Sequence, residues 1–287
     1  MMDNGAVIMS YKTILVHVDQ SPHAATRIKA AAQIAMEENA HLIGAAMNGL
    51  SRFVYAGNVA DLAGPIISAQ LDALNAQAAE ALEAFESIVK GLGVLSYERR
   101  LIADEPEGGL ALQGRYADLV VVSQANREDS VSRMTSDLPE YVMLNCVRPV
   151  LVIPYSGNFE TIGTNVLVAW DGSMEAARAL ANAIPLLRRA KAVTVALFNR
   201  HSRLDTHGEQ PGDDIALYLA RHDVKVEVLR QLSDIGSGDA LLSLAKSKGF
   251  NLLVMGGYGH TRFREVVLGG VTDTILRRMT LPVLISH

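Results

Sequence analysis

The sequence predicts an α/β protein made of two tandem doubly wound domains, each a five-stranded parallel sheet with helices on both faces. Continuous Val/Leu runs alternate with Ala-rich segments of helical spacing, which is typical of parallel strands buried between helices. This pattern occurs twice along the 287 residues. Aromatic residues make up only 5% of the chain, so aliphatic side chains must fill the core. That composition argues against a β-sandwich.

An internal duplication underlies this prediction. Each copy opens with a Val/Leu run that ends in Asp-x-Ser and closes with a Pro-Val-Leu strand. Three pairs of segments match in the same order: 13–21 (TILVHVDQS) with 165–173 (NVLVAWDGS), 117–123 (ADLVVVS) with 250–256 (FNLLVMG), and 149–153 (PVLVI) with 282–286 (PVLIS). The polar segment 155–163 joins the copies. We therefore expect a first domain at residues 1–157 and a second at 158–287.

The strands and helices can be predicted most clearly in the second copy. Its strands are expected at 166–169, 193–198, 224–229, 252–255 and 283–285, and its helices at 174–189, 213–221, 239–248 and 271–279. The first copy follows the same order with a longer middle. There, residues 53–70 are expected to form an ordered loop that packs over the first crevice, ahead of a long helix at 71–89.

Composition limits the functions that the chain can have. The net charge of −5, without a block of like charges, predicts no nucleic-acid partner. No apolar run reaches the roughly 18 residues of a membrane span, and the N-terminus has acidic Asp3 and no basic residue, which makes a poor signal peptide. The single cysteine, Cys146, fits a reducing compartment and is expected to be buried. We expect a cytoplasmic protein with no membrane association.

Two matching aspartates, Asp19 and Asp171, follow the first strand of each copy. In an open parallel sheet, ligands bind beyond the carboxyl ends of the strands, where the strand order reverses. A carboxylate there can meet ribose hydroxyls, an exocyclic amine or a metal-nucleotide. The alternative is helix-start chemistry, with Ser21 as N-cap ahead of Pro22, and Ser173 as N-cap of the second copy.

A glycine-containing loop, 255–272 (MGGYGHTRFREVVLGGVT), follows a buried strand and leads into the last helix. Glycines allow tight turns and a close backbone approach to a ligand, and the positive end of a helix attracts phosphates. His260, Arg262 and Arg264 add positive potential. The alternative is a tight turn whose glycines serve only conformation and whose arginines pair with surface acids. The eight His residues show no metal-ligand spacing, and we expect no metal site.

These features together resemble the universal stress protein family. The spacing of Gly256, Gly259 and Gly269 is similar to the family's ATP-binding loop, and Asp171 and the closing Pro282-Val-Leu also fit. The resemblance implies an adenine nucleotide, ATP or AMP, and leaves open whether Mg²⁺ accompanies it. The implied contacts are Ala169, Trp170, Asp171 and Phe198 for the adenosine end, and Gly256, Gly259, Gly269 and Gly270 for the phosphates.

One residue departs from the family pattern. Binding members usually have Ser or Thr directly after the last glycine, where this chain has Gly270, so a hydroxyl contact to phosphate is lost. Thr272 is a candidate to replace that contact in part.

The first copy has no glycine at the matched positions, which are Ser123, Asn126 and Ser136. The negative charges of Glu128 and Asp129 also largely offset the positive charges of the two arginines in its loop. We therefore expect no anion site in the first copy, and a structural or differently specialised domain.

The resemblance implies a stress-response protein that acts through conformation or protein partners. An alternative is a slow ATPase or nucleotidyl-transfer enzyme, for which His260 and Glu265 are the loop candidates, and a third is a nucleotide-free scaffold. In this family the last strand typically pairs two domains antiparallel. We therefore expect either an intrachain pseudo-dimer, in which strands 149–153 and 282–285 pair, or a homodimer.

Overall fold

A computed structural model describes residues 10–49, 64–125, 138–198, 212–231, 237–258 and 270–287. The strands are β1 Thr13–His17, β2 His41–Met47, β3 Tyr97–Ile102, β4 Leu119–Ser123, β5 Val150–Ile153, β6 Asn165–Trp170, β7 Ala192–Phe198, β8 Val226–Gln231, β9 Leu252–Gly256 and β10 Val283–Ser286. The helices are α1 Ala24–Glu38, α2 Gly64–Leu92, α3 Pro106–Gln113, α4 Leu138–Asn145, α5 Met174–Arg189, α6 Asp213–Arg221, α7 Ser237–Lys248 and α8 Val271–Arg278. Every strand and helix predicted for the second copy is present, with ends that differ by two residues at most.

The ten strands form one sheet in the order β3-β2-β1-β4-β5-β10-β9-β6-β7-β8. Within each half all neighbouring strands are parallel, and the first strand of the half lies between the second and the fourth. The strand order therefore reverses between β1 and β4 and again between β6 and β9. This arrangement confirms the predicted fold class.

The two halves meet where β10 pairs antiparallel with β5. Leu284 lies opposite Leu151, and Val283 opposite Val152. All four side chains are buried. The pairing predicted for the two closing strands is confirmed within one chain, and neither strand is left as an open edge.

Apolar side chains cover both faces of the sheet. In β1, Ile14 belongs to one core cluster and Leu15 to the other, because successive side chains of a strand point to opposite faces. Val166 and Leu167 divide in the same way in β6. Each cluster contains residues of both halves, so the core continues across the β5–β10 junction.

The loop predicted at residues 53–70 is partly wrong. α2 begins at Gly64, so residues 64–70 belong to the helix predicted for 71–89, while residues 53–63 lie outside the described part of the chain. The Gly-Pro pair at 64–65 favours a turn, but proline is well tolerated in the first turn of a helix, where its missing N–H has no helical acceptor. Within the described ranges, no helix is both long enough and apolar enough to cross a membrane.

Candidate functional site

The topology creates two crevices at the carboxyl edge of the sheet. The first lies beyond β1 and β4, which are paired through Ile14 and Leu119. The second lies beyond β6 and β9, which are paired through Val166 and Leu252. A parallel sheet binds ligands at such points, so each half has one candidate site.

In the second crevice, Asp171 and Ser173 lie directly before α5. The Asp171 Oδ1 accepts hydrogen bonds from the Ser173 amide at 3.0 Å and the Ser173 hydroxyl at 2.6 Å. The Ser173 hydroxyl oxygen accepts in turn from the Ala176 amide at 3.1 Å and caps the helix. The helix-start interpretation of these two residues is confirmed. Asp171 is nevertheless exposed, so its carboxylate stays accessible to a ligand.

The matching helix start in the first half differs from the prediction. Ser21 was expected to cap a helix with Pro22 at its first position, but α1 begins at Ala24 and His23 occupies the N-cap position. The reason is a separate turn, in which the Ala24 amide donates to the Ser21 carbonyl at 3.1 Å. The Ser21 hydroxyl instead donates to Asp19 Oδ1 at 2.7 Å.

Gly256, at the end of β9, lies against the N-terminus of α5. A Cβ on this residue would come within 2.5 Å of the Ala176 nitrogen and 2.7 Å of the Glu175 carbonyl carbon. Both neighbours are backbone atoms, so only glycine allows this close approach. The glycine predicted to contact phosphate thus also has a packing role.

The two ends of the glycine loop are tied together beside this crevice. Tyr258 has a left-handed backbone with φ of 52°, and its amide donates to the hydroxyl oxygen of buried Thr272 at 3.3 Å. Thr272, suggested above as a substitute phosphate contact, is therefore already an acceptor for the loop backbone. Gly259 and Gly269 lie outside the described residues, as does the side chain of Phe198, whose strand β7 neighbours β6.

Gly270 is the N-cap of α8 and has an extended backbone with φ of −121°. It is exposed, and no atom of the described residues lies within 4 Å of a Cβ built on it. The described surroundings therefore leave room for a side chain at the residue predicted to contact phosphate. Ala169 and Trp170, both half-buried, end β6 and lead directly to Asp171.

In the first half, the described residues line a cavity of about 650 Å³ beyond β1, β2 and β4. Side chains of α2, among them Leu74, Ala78 and Ala81, form one wall. His17, Asp19, Arg27, Ser123 and Gln124 contribute polar groups. The hypothesis that residues 53–70 close this crevice stays a prediction, because residues 53–63 lie outside the described part.

A buried arginine organises the polar side of this cavity. Arg27, which is 1% exposed, donates to the His17 carbonyl at 2.7 Å, to the Ser123 hydroxyl oxygen at 2.7 Å and to Asp19 Oδ1 at 2.8 Å. Burial by itself would raise the pKa of Asp19, but the attraction of Arg27 and His17 and the hydrogen bonds from Ser21 and Arg27 together outweigh burial and hold that pKa well below the usual range. Burial lowers the pKa of His17 to about 4, against the opposing effect of the Asp19 carboxylate. At neutral pH the imidazole is therefore uncharged and the ion pair is intact.

Arg27 was not identified from the sequence, because an arginine in an Ala-rich helix is usually exposed to solvent. The duplication offers a partial signal that Arg27 is unusual. Arg27 lies eight residues after Asp19, and the residue eight positions after Asp171 in the second copy is Ala179. His17 is buried at the end of β1, and Cys146 is buried as predicted.

Two polar contacts connect the crevices across the junction of the halves. The Gln124 side-chain amide donates to the carbonyls of Leu276 at 2.9 Å and Arg277 at 3.1 Å, in the last turn of α8. The Tyr258 hydroxyl donates to the Glu140 carboxylate of α4. Gln124 and the residue before Glu140, Pro139, also line the first cavity. Tyr258 and the last turn of α8 in the second half thus contact residues in or next to the lining of the first cavity.

Comparisons with known proteins agree with this fold. Residues 164–287 match the model of the Universal stress protein family. The universal stress protein Slr1230 of Synechocystis is 30% identical over 153 residues, which are 50% of this chain and 49% of that protein. The universal stress protein MJ0577 of Methanocaldococcus jannaschii is 30% identical over 47 residues, 16% of this chain and 29% of that protein. The chain thus matches about half or less of the length of these curated relatives.

A solved structure resembles the whole chain. The crystal structure of a universal stress protein from Archaeoglobus fulgidus covers 97% of this chain and 97% of its own, with a TM-score of 0.76 and 15% identity. At this identity the likeness shows the fold alone.

Proposed function

We propose that this chain, whose residues 164–287 match the universal stress protein family, is a cytoplasmic stress-response protein that binds an adenine nucleotide, ATP or AMP, in its second half. The ligand lies between Asp171 and the loop from Gly256 to Gly270. The protein acts through conformation or partner binding and not through rapid turnover. In this proposal residues 1–157 and 158–287 are its two domains.

One observation carries the proposal: the described ends of the glycine loop are tied together at the sheet edge where Asp171 follows its strand. Asp171 comes directly after β6, and Gly256 ends the neighbouring strand β9. The contact between the Tyr258 amide and Thr272 brings the start of α8 to the same place. An exposed carboxylate, a loop that needs glycine and an open helix N-terminus therefore border one crevice, as nucleotide binding requires.

The residues present fit an adenine nucleotide. Gly270 leaves room at the N-terminus of α8, where the backbone amides of the first turn have no helical acceptors. Asp171 has one oxygen engaged by Ser173 and is exposed, so it can still accept from a ribose hydroxyl. Asp273, in the first turn of α8, pairs with Arg277 at 2.6 Å, which reduces the repulsion that its charge would exert on a phosphate.

The contacts across the junction support a conformational mode of action. A nucleotide that orders the loop acts on Tyr258, whose hydroxyl contacts Glu140 of the other half. It also acts on α8, whose last carbonyls accept from Gln124. Binding in the second half can therefore change the surface of the first half, and a partner protein would recognise the changed surface.

Isothermal titration calorimetry with ATP, ADP and AMP, with and without Mg²⁺, tests this proposal. We expect about one nucleotide per chain. Gly259→Val should abolish binding without unfolding the protein, whereas Asn126→Val, the matched change in the first copy, should leave it unaltered. Two nucleotides per chain, or binding that survives Gly259→Val, would contradict the assignment.

The alternatives give different results in a companion experiment. Mass spectrometry of the small molecules released from the denatured protein would show a co-purified adenine nucleotide under the leading proposal. ADP formed steadily from added ATP would indicate a slow ATPase. A protein that neither carries nor binds a nucleotide would be a scaffold, with Gly270 as the reason for the lost affinity.

A further inference from the structure

The first-half cavity has the size and the composition of a small-molecule site. Its volume of about 650 Å³ falls within the roughly 300–1,000 Å³ typical of ligand pockets. Much of its lining is apolar, contributed by residues such as Met47, Leu74, Ala81 and Leu138. The polar groups are concentrated at the ends of β1 and β4. A ligand here would bury an apolar body and direct a polar group toward the strand ends.

The charges around this polar end cancel within the protein. Arg27 directs hydrogen bonds to the His17 carbonyl, the Ser123 hydroxyl and the Asp19 carboxylate, and it is almost completely buried. An incoming phosphate would have to compete with Asp19 for the guanidinium, and would then lie next to the Asp19 carboxylate. Like charges in a partly buried site repel strongly, so the geometry disfavours an anionic ligand.

One polar atom at this end lacks a partner. Among the residues that the structure describes, His17 Nδ1 is buried and makes no hydrogen bond. It lies 3.7 Å from Asp19 Oδ2, too far for a direct hydrogen bond. Buried polar atoms without a partner are rare and costly in native proteins. A single oxygen between these atoms could accept from Nδ1–H and donate its own proton to the Asp19 carboxylate.

We propose that the first-half crevice is a separate binding site for an uncharged ligand that carries a hydroxyl group on an apolar body. The hydroxyl bridges His17 Nδ1 and Asp19 Oδ2, and the apolar body packs against α2. Arg27 holds Asp19 in place and does not contact the ligand. This site does not require a nucleotide in the second half.

Matched probe pairs test the proposal on the full-length chain. The pairs are benzyl alcohol with benzoate, and adenosine with AMP, measured by saturation-transfer NMR and titration. An Asp171→Ala background weakens binding at the second crevice. We expect at least one uncharged probe to bind about tenfold or more tightly than its anionic partner, since the anion meets the Asp19 carboxylate.

Two substitutions locate the binding. Leu74→Trp fills the cavity and should weaken the uncharged probe about tenfold or more, whereas Leu95→Trp, the same change at a residue that is 98% exposed, should not. His17→Phe should weaken binding to a similar extent. His17→Asn keeps a nitrogen near the Nδ1 position and should therefore reduce the affinity for the uncharged probe less than His17→Phe does.

A direct signal comes from ¹⁵N-histidine NMR, in which the uncharged probe should shift the His17 Nδ1 resonance. The proposal is overturned if no uncharged probe binds, if the anions bind equally well, or if Leu74→Trp has no effect. Loss of nucleotide binding in the second half would leave these outcomes unchanged, so failure of one proposal is distinguishable from failure of the other.

Discussion

Arg27 Nη2 lies 2.8 Å from Asp19 Oδ1 in the first half, and the matching position in the second half is Ala179. This one difference separates the chemistry of the two crevices. In the first half the aspartate after the opening strand is neutralised within the protein. In the second half Asp171 has only Ser173 as a hydrogen-bond partner among the described residues. The duplicated carboxylate therefore has a cationic partner in the first copy and, among the described residues, none in the second.

Replacement of Arg27 should destabilise the fold. Arg27→Met leaves Asp19 without its ion-pair partner, and we expect a loss of about 2–3 kcal/mol in the free energy of unfolding. The value lies at the low end for buried pairs because the Asp19 side chain is 34% exposed. Urea denaturation measures the loss. The double variant Arg27→Met/Asp19→Asn should recover part of it, and equal losses in both proteins would contradict this account.

The buried His17 should make stability depend on pH. Its pKa is about 4 in the folded protein, below the ordinary value of 6.5, so between these values the unfolded chain binds a proton that the folded protein does not. The free energy of unfolding should therefore fall as the pH is lowered from 6.5 to 4, by up to about 1.4 kcal/mol per pH unit. The depressed pKa of Asp19 acts in the same direction, but mainly below pH 4, because its stabilising contribution is lost only as pH falls through the folded pKa. Denaturation at several pH values measures the effect. His17→Asn should remove it, and the other titrating groups, which both proteins share, drop out of the difference between the two pH profiles. Parallel pH profiles for the two proteins would contradict the assignment.

The fold could be predicted because its signals are local or repeated. Apolar runs such as the one at Leu252–Gly256 define strands by themselves, and the duplication places each element twice. The pairing of β5 with β10 followed from the family resemblance. The start of α2 was missed because a Gly-Pro pair is compatible with both a turn and a first helical turn.

The chemistry of the first crevice could not be predicted, because it depends on contacts between distant residues. One of the hydrogen bonds of buried Arg27 goes to Ser123, 96 residues further along the chain. Similarly, Gln124 and Leu276 are 152 residues apart. No local pattern distinguishes such an arginine from a solvated one.

Alanine at Gly256 should disrupt the start of α5. The added Cβ would lie 2.5 Å from the Ala176 nitrogen, and backbone atoms cannot move away without shifting the helix. We expect a loss of about 1–3 kcal/mol, typical of overpacking. Gly91→Ala in α2 is the matched control, because no atom of the described residues lies within 4 Å of its Cβ position. Thermal and urea denaturation should separate the two variants, and equal stabilities would contradict the packing role of Gly256.

Serine at Gly270 should strengthen nucleotide binding. The residue has an ordinary extended backbone, and no atom of the described residues lies within 4 Å of its Cβ position, so a serine side chain fits among them without strain. A serine here caps α8, which contributes a few tenths of a kcal/mol relative to glycine, and its hydroxyl can donate to a phosphate. We expect about tenfold tighter ATP binding by calorimetry. Gly270→Ala should not reproduce the gain, and unchanged affinity in Gly270→Ser would show that this position does not contact the phosphates.

The second half alone should form a homodimer. In the whole chain β10 is covered by β5, and a fragment of residues 158–287 would expose β10 as an apolar edge strand. Two copies could pair β10 with β10 antiparallel around Leu284, as Leu284 now pairs with Leu151. One contact across the junction also has a substitute. The Gln124 amide donates to the Ile153 carbonyl in the first half as the Gly257 amide donates to the Ser286 carbonyl in the second, and by that correspondence Asp273 matches Glu140. Tyr258 of one fragment would therefore meet the Asp273 carboxylate of the other. Light scattering should give a mass of two fragments, and addition of residues 1–157 should convert the homodimer into a heterodimer. A stable monomeric fragment would show that the β5–β10 junction is not required to cover this edge.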